Sequence, residues 1–169
     1  MKGVLLSMGP SDLQLIDISH TIPANDIMAA SWTVREAIRT FPVDTVHLVV
    51  VDPGVGTDRD AVIVRWNQQW FVGPDNGLFS LMTEHEGVEA WRLDQPSFWL
   101  EDVSTTFHGR DVFAPVAAHL AHGVNPEAMG KPDHALLTWR WVEPVLDPDG
   151  IRGWVAHIDR FGNLISNIP

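Results

Sequence analysis

The stretch Thr45-Val46-His47-Leu48-Val49-Val50-Val51, closed by Asp52-Pro53-Gly54, is an unbroken run of apolar and β-branched residues that stops at a turn. A run without polar alternation reads as a strand covered on both faces, as in a parallel sheet. Its Asp-Pro-Gly end places a loop beyond the strand's carboxyl end, where open α/β sheets bind their ligands. Upstream, Ile27, Ala30, Val34, Ala37 and Ile38 recur at helical spacing across Asp26 to Thr40, with Asn25 or Asp26 as N-cap and Phe41-Pro42 as the stop. The order is helix, then central strand. The expected class is α/β: a mostly parallel central sheet with flanking helices.

Downstream, Ala61 to Arg65 and Gln69 to Val72 read as two short strands around Asn67-Gln68. Gly73-Pro74-Asp75-Asn76-Gly77 is dense in turn formers, and helical spacing resumes from Leu78 to Glu84. Val112 to His122 is apolar at helical periods, preceded by Gly109-Arg110-Asp111, whose backbone N–H groups and dipole would face outward as a helix start. Beyond Gly123 the pattern changes. Pro126, Pro132, Pro144 and Pro148 punctuate a Trp-containing stretch, and Ile151 to Ile158 alternates like a strand before Asp159-Arg160-Phe161-Gly162-Asn163. An N-terminal α/β catalytic domain over 1–142 is therefore expected, with 143–169 as a linker and the start of a β-rich C-terminal domain.

Composition narrows the partners. The chain has 22 acidic residues against 11 basic ones, a formal charge of −11 that repels phosphate backbones and anionic headgroups. Neither nucleic acid nor membrane is expected as a partner, and no run approaches the roughly 18 apolar residues of a membrane helix. The absence of cysteine removes disulfides and thiolate zinc sites. With an opening too short and polar for a signal peptide, the cytoplasm is the expected compartment.

Four loops hold the candidate chemistry. Asp52 either caps its Pro-Gly turn or offers a carboxylate to a ligand, and Arg59 is either its structural ion-pair partner or a fixed guanidinium in a site. His108, in Thr106-Phe107-His108-Gly109-Arg110-Asp111, can titrate or donate to an anion. Asp111 reads as an N-cap or first-turn carboxylate, with Arg110 as partner for a nearby acid. Asn76 and Asn163 are turn formers as readily as ligand binders.

Four strings occur together and in order: VVDPGVGTDR at 50–59, VGPDNGL at 72–78, STTFHGRDVFAPVAAHLA at 104–121 and HIDRFGNLISNI at 157–168. On these strings the whole chain resembles the S-adenosyl-L-methionine (SAM) hydroxide adenosyltransferase family, the adenosine-forming SAM hydrolases related to SAM-dependent fluorinase and chlorinase. The resemblance implies displacement of methionine from the 5′ carbon of SAM by water, with SAM as substrate, no metal and no cofactor. It implies a catalytic set on Asp52, Arg59 and His108, and substrate contacts at Phe107, Asp159, Phe161 and Asn163, with Asn76 and Asn25 as further candidates. It also implies a homotrimer. The halogenase relatives carry a tyrosine where Asp52 stands, so a carboxylate there argues against halide as the nucleophile.

Members of that family begin with a strand ending in a Thr-Asp-Phe-Gly-like string and continue into a complete second domain. Both ends of the chain are thus expected to be incomplete. Two alternatives follow: a non-catalytic truncated remnant that at most binds nucleoside, and a SAM-dependent halogenase.

Overall fold

A computed structural model describes residues 1–83, 85–139, 143–159 and 161–168, which fall into two compact units, Met1–Thr138 and Trp139–Pro169. The expected boundary at Val142 and the helix end at Glu84 lie outside the described residues.

In the first unit, α1 (Lys2–Met8) precedes α2 (Ile27–Ile38). Asp26 caps α2, its carboxylate accepting the Ala29 N–H at 2.9 Å, which meets an otherwise unsatisfied donor of the first turn. The expected apolar spacing is realised, with Ala30, Val34 and Ile38 buried. A sheet follows, built of β1 (Val46–Leu48), β2 (Ala61–Trp66), β3 (Gln69–Pro74), β4 (Glu89–Leu93) and β5 (Gly130–Lys131), in the order β1-β3-β2-β4-β5. Two helices complete the unit, α3 (Ser80–Thr83) and α4 (Ala114–Ala121), with a π-helical turn over Gly109–Phe113 leading into α4.

The sheet is mixed, which corrects the mostly parallel expectation. Among the described residues only β1 and β3 pair in parallel, with Val46 opposite Trp70 and Leu48 opposite Val72. The β2–β3, β2–β4 and β4–β5 pairs are antiparallel. The cause is local: Asn67 and Gln68 sit at φ 50° and 59°, the backbone of a tight hairpin turn, so β3 must return along β2. Nor is β1 central. It is a three-residue end strand, and a cleft of about 520 Å³ lined in part by Leu13, Ile16, Val46 and Leu48 runs beside it.

Helices cover both faces of this sheet. Val62, Val64 and Phe71 pack with Ala30, Val34 and Ile38 of α2 and with Phe79 and Met82 on one side. Ile63, Val72 and Trp91 pack with Val112, Phe113, Val116 and Leu120 on the other. Each such side chain contributes roughly 1.5–3 kcal/mol by leaving water. One polar link crosses the interior: His47 Nε2 lies 2.6 Å from Gln69 Oε1, and the Gln69 amide donates to the Ile38 and Phe41 carbonyls at 3.1 Å each. Since that amide spends its N–H groups on carbonyls, His47 carries its proton on Nε2. Burial holds the His47 pKa below its ordinary value.

The second unit consists of two antiparallel hairpins, β6 (Val145–Asp147) with β7 (Gly150–Arg152), and β8 (Val155–Ile158) with β9 (Leu164–Ser166). The single alternating strand expected over Ile151–Ile158 is broken at Gly153 and Trp154 into β7 and β8.

Candidate functional site

The chain leaving β1 folds into consecutive turns, with Val55 N–H donating to Asp52 O at 3.3 Å and Thr57 N–H to Gly54 O at 3.1 Å. These turns bring Arg59 back beside Asp52. Gly56 makes the next approach possible: at φ 77°, a Cβ placed there would lie 2.4 Å from the Thr105 carbonyl oxygen. No other residue type fits without displacing the 104–108 segment, and the left-handed backbone itself favours glycine.

That segment is fastened in turn. The Ser104 hydroxyl accepts the Phe107 N–H at 2.9 Å, and the Asp111 carboxylate accepts the Ser104 N–H at 2.9 Å. Arg110 donates to Asp111 through Nε at 2.5 Å and Nη2 at 3.1 Å. Asp111 is fully buried, and Arg110, followed by the Ser104 N–H, holds its carboxyl at about 2 against the opposing effect of burial. Asp111 thus takes the first-turn place, paired with Arg110, that the sequence allows, and it is also an interior anchor for the loop that carries His108.

Asp52, Arg59 and His108 meet in one hydrogen-bonded row. Arg59 Nε lies 2.9 and 3.0 Å from the two Asp52 oxygens, and Nη2 donates to Oδ2 at 2.5 Å. The same Nη2 is 2.9 Å from His108 Nδ1. The Asp52 and Arg59 side chains are only 6% and 10% exposed. Behind them the guanidinium stacks 5.1 Å over the Phe113 ring, and Nη1 reaches the Asp60 carbonyl at 3.4 Å.

This geometry fixes a tautomer. A guanidinium has only donors, so His108 Nδ1 must accept, and the ring is neutral with its proton on Nε2. His108 thus offers an N–H beside an ion-paired carboxylate. Arg59 uses three contacts on Asp52, which leaves lone-pair capacity on the carboxylate for one further donor such as water.

The other sequence candidates divide. Phe107 is 59% exposed next to His108, its ring 5.1 Å from the Arg110 guanidinium carbon. Asn76 touches the backbone just before Asp52, its Nδ2 donating to Val51 O at 2.9 Å. Asn25 is exposed ahead of α2 at φ 67°, and no hydrogen bond among the described residues joins it to the row. Asp159, Phe161 and Asn163 belong to the second unit. There Asp159 accepts from the Phe161 N–H, the Asn163 N–H and Asn163 Nδ2 at 2.8, 2.9 and 2.6 Å, and Phe161 stands 78% exposed at the tip. The Asn163 amide holds the Asp159 carboxyl below its usual pKa. Arg160 lies outside the described residues. Sequence reasoning missed Asp60, Asp75 and Phe113. Gly54 and Gly56, the two glycines between Asp52 and Arg59, are the signal in the sequence that this loop can fold Arg59 back onto Asp52.

Residues 1–130 match the family described as SAM hydroxide adenosyltransferase N-terminal domain. Over 99% of its length the chain is 40% identical to the (R)-S-adenosyl-L-methionine hydrolase of Thermus thermophilus, of which it spans 68%. It is 29% identical, again over 99% of its length, to a fluorinase of Nocardia brasiliensis, of which it spans 65%. The crystal structure of an uncharacterized conserved protein from Thermotoga maritima superposes with a TM-score of 0.92 at 38% identity, covering 99% of this chain and 65% of that one. The chain therefore spans about two thirds of the length of these relatives.

Proposed function

The chain belongs to the SAM hydroxide adenosyltransferase family, and from that membership we propose that it hydrolyses SAM to adenosine and L-methionine. The observation that supports the reading is the row Asp52–Arg59–His108, drawn from two loops, with Arg59 7 residues from Asp52 and 49 from His108 in sequence. In the reaction, the oxygen of water bonds to C5′ of the adenosyl group as the C5′–S bond breaks. The bonding pair passes to sulfur, which leaves as the neutral thioether of methionine, and the water proton departs through Asp52 to solvent. A neutral thioether needs no acid to leave, so the catalytic demand falls on the nucleophile.

Water has a pKa of about 15.7, so it must be deprotonated or polarised as it attacks. Asp52 accepts its proton, while His108 Nε2–H and the Arg59 edge stabilise the oxygen as negative charge develops. These side chains perform the step without a metal ion. The Asp52 carboxylate also repels a halide at the nucleophile position, which disfavours the halogenase alternative.

The reading extends to the (R) sulfonium epimer, named for the Thermus thermophilus relative. It includes Phe107, Phe161, Asp159 and Asn163 as substrate contacts, the aromatics toward adenine or sulfonium and the polar pair toward the amino-acid end. A cytoplasmic homotrimer completes it, on the family resemblance.

Turnover of SAM in ¹⁸O-water tests the reaction. The expected products are adenosine labelled at the 5′ hydroxyl and unlabelled methionine, with no 5′-halogenated nucleoside in added fluoride or chloride. Absence of adenosine, or adenosine without label, contradicts the reading.

A further inference from the structure

The turn Gly73–Gly77 touches both ends of the loop that carries Asp52 and Arg59. At the entry, Asn76 Nδ2 donates to Val51 O at 2.9 Å, one residue before Asp52. At the exit, the Asp75 N–H donates to Asp60 O at 2.9 Å, one residue after Arg59, on the carbonyl that Arg59 Nη1 also reaches. The Asn76 amide is set by its own turn, its Oδ1 accepting the Leu78 N–H at 3.3 Å. The turn is held from behind as well. Both Asp75 oxygens are engaged by the segment after β5, Oδ2 by His134 Nε2 at 2.8 Å and Oδ1 by the Leu137 N–H at 2.9 Å. Asp75 and His134 side chains are 8% and 16% exposed, so water competes weakly for these bonds.

We propose that Asp75 and Asn76 are positioning residues that clip the two ends of the 52–59 loop, with His134 bracing the clip through Asp75. Asn76 then acts on Asp52 through the Val51 carbonyl and not by touching substrate. The kinetic part of this proposal rests on the SAM-hydrolase reading, whereas the structural part does not. In-line displacement depends on where the nucleophile is held, and a misplacement of about 1 Å costs on the order of 100-fold in rate.

The test uses Asn76→Ala, Asp75→Asn, His134→Ala and His134→Gln in the full chain, each checked for a native circular-dichroism spectrum. Steady-state hydrolysis of SAM is expected to lose about 10–100-fold in kcat in Asn76→Ala with KM within about 3-fold. A ligand role for Asn76 would instead raise KM with kcat held, and would overturn the proposal. His134→Gln keeps an N–H toward Asp75 and is expected to restore most of the kcat that His134→Ala loses; equal loss in both would contradict the brace. An activity-free measurement separates this from the function itself. In the parent, the ¹⁵N shifts of His108 are expected to show an accepting Nδ1, and hydrogen exchange is expected to show protection at Val55 and Thr57. Asn76→Ala is expected to mix the tautomers and speed that exchange even if the parent does not turn over SAM. Unchanged shifts and exchange would overturn the clip whatever the activity.

Discussion

The loops around Asp52 and the β8–β9 turn both gather polar side chains at the end of a strand, and they are built in opposite ways. Around Asp52, partners come from positions 59, 60, 76 and 108, and the Asp52 and Arg59 side chains are nearly buried. In the β8–β9 turn, Asp159 finds its partners within four residues, at Phe161 and Asn163, on an exposed surface. The first arrangement exists only when the whole first unit is folded, whereas the second is made by a short stretch of chain. Long-range, desolvated hydrogen bonds hold a reactive geometry more firmly than local, solvated ones. The difference teaches which polar cluster depends on the whole unit's fold and which is made locally, at an exposed turn tip.

The hardest way to break the comparison is at Gly56. Gly56→Ala adds a Cβ 2.4 Å from the Thr105 carbonyl at a left-handed backbone position. It is expected to part the 52–59 and 104–108 segments, costing roughly 1–3 kcal/mol in denaturant unfolding and about 100-fold in adenosine release. Unaltered stability and turnover would show that the loop contact does not set the site.

Asp111 sharpens the same side of the comparison through pH. Its folded pKa, about 2 against an ordinary 3.8, is depressed, so its contribution is present above 3.8 and is lost as pH falls through about 2. Asp111→Asn is expected to lower stability by about 1–3 kcal/mol at pH 7. The gap between variant and parent should close between about pH 5 and pH 2. A gap that persists unchanged at pH 2 would mean that charge on Asp111 is not what anchors Ser104 and Arg110.

The smallest effect belongs to the second unit. Asn163→Ala removes the first of the contacts that depress the Asp159 pKa. The Asp159 carboxyl should titrate closer to its ordinary value by NMR, with His108 ring shifts unmoved. A change at His108 would erase the distinction between a fold-dependent site and a local turn.

How legible each region was follows from the same difference. The α2 helix was readable because Asp26 and the apolar spacing act within a few turns, and Asn67-Gln68 announced a reversal. The run at 45–51 supplies β1, which among the described residues is the one strand of this sheet that pairs only in parallel, and the hairpin around Asn67-Gln68 is antiparallel as its turn requires; what fails is extending parallel pairing from β1 to the rest of the sheet. Val62, Ile63 and Val64 are all buried, yet β2 is antiparallel to both its neighbours. Helices cover both faces of this mixed sheet, so hydrophobic continuity reports coverage and not strand direction. For the site, spacing leaves Asp52 and Arg59 as either a structural ion pair or part of a site, and it offers His108 as a loop histidine without joining it to them across the 49 residues from Arg59. The four ordered strings named all three. Asp75 was hidden inside a turn signal, and its partners at 134 and 137 carry no local pattern.

The central claim is that Asp52, held by Arg59 beside His108, activates the attacking water. Asp52→Asn keeps an oxygen for Arg59 and removes the charge, so adenosine release measured against SAM binding by calorimetry tests it most directly. The expected result is a loss of about 10²–10⁴-fold in hydrolysis, with SAM affinity within a few-fold of the parent. Hydrolysis by Asp52→Asn at the parental rate would contradict the account.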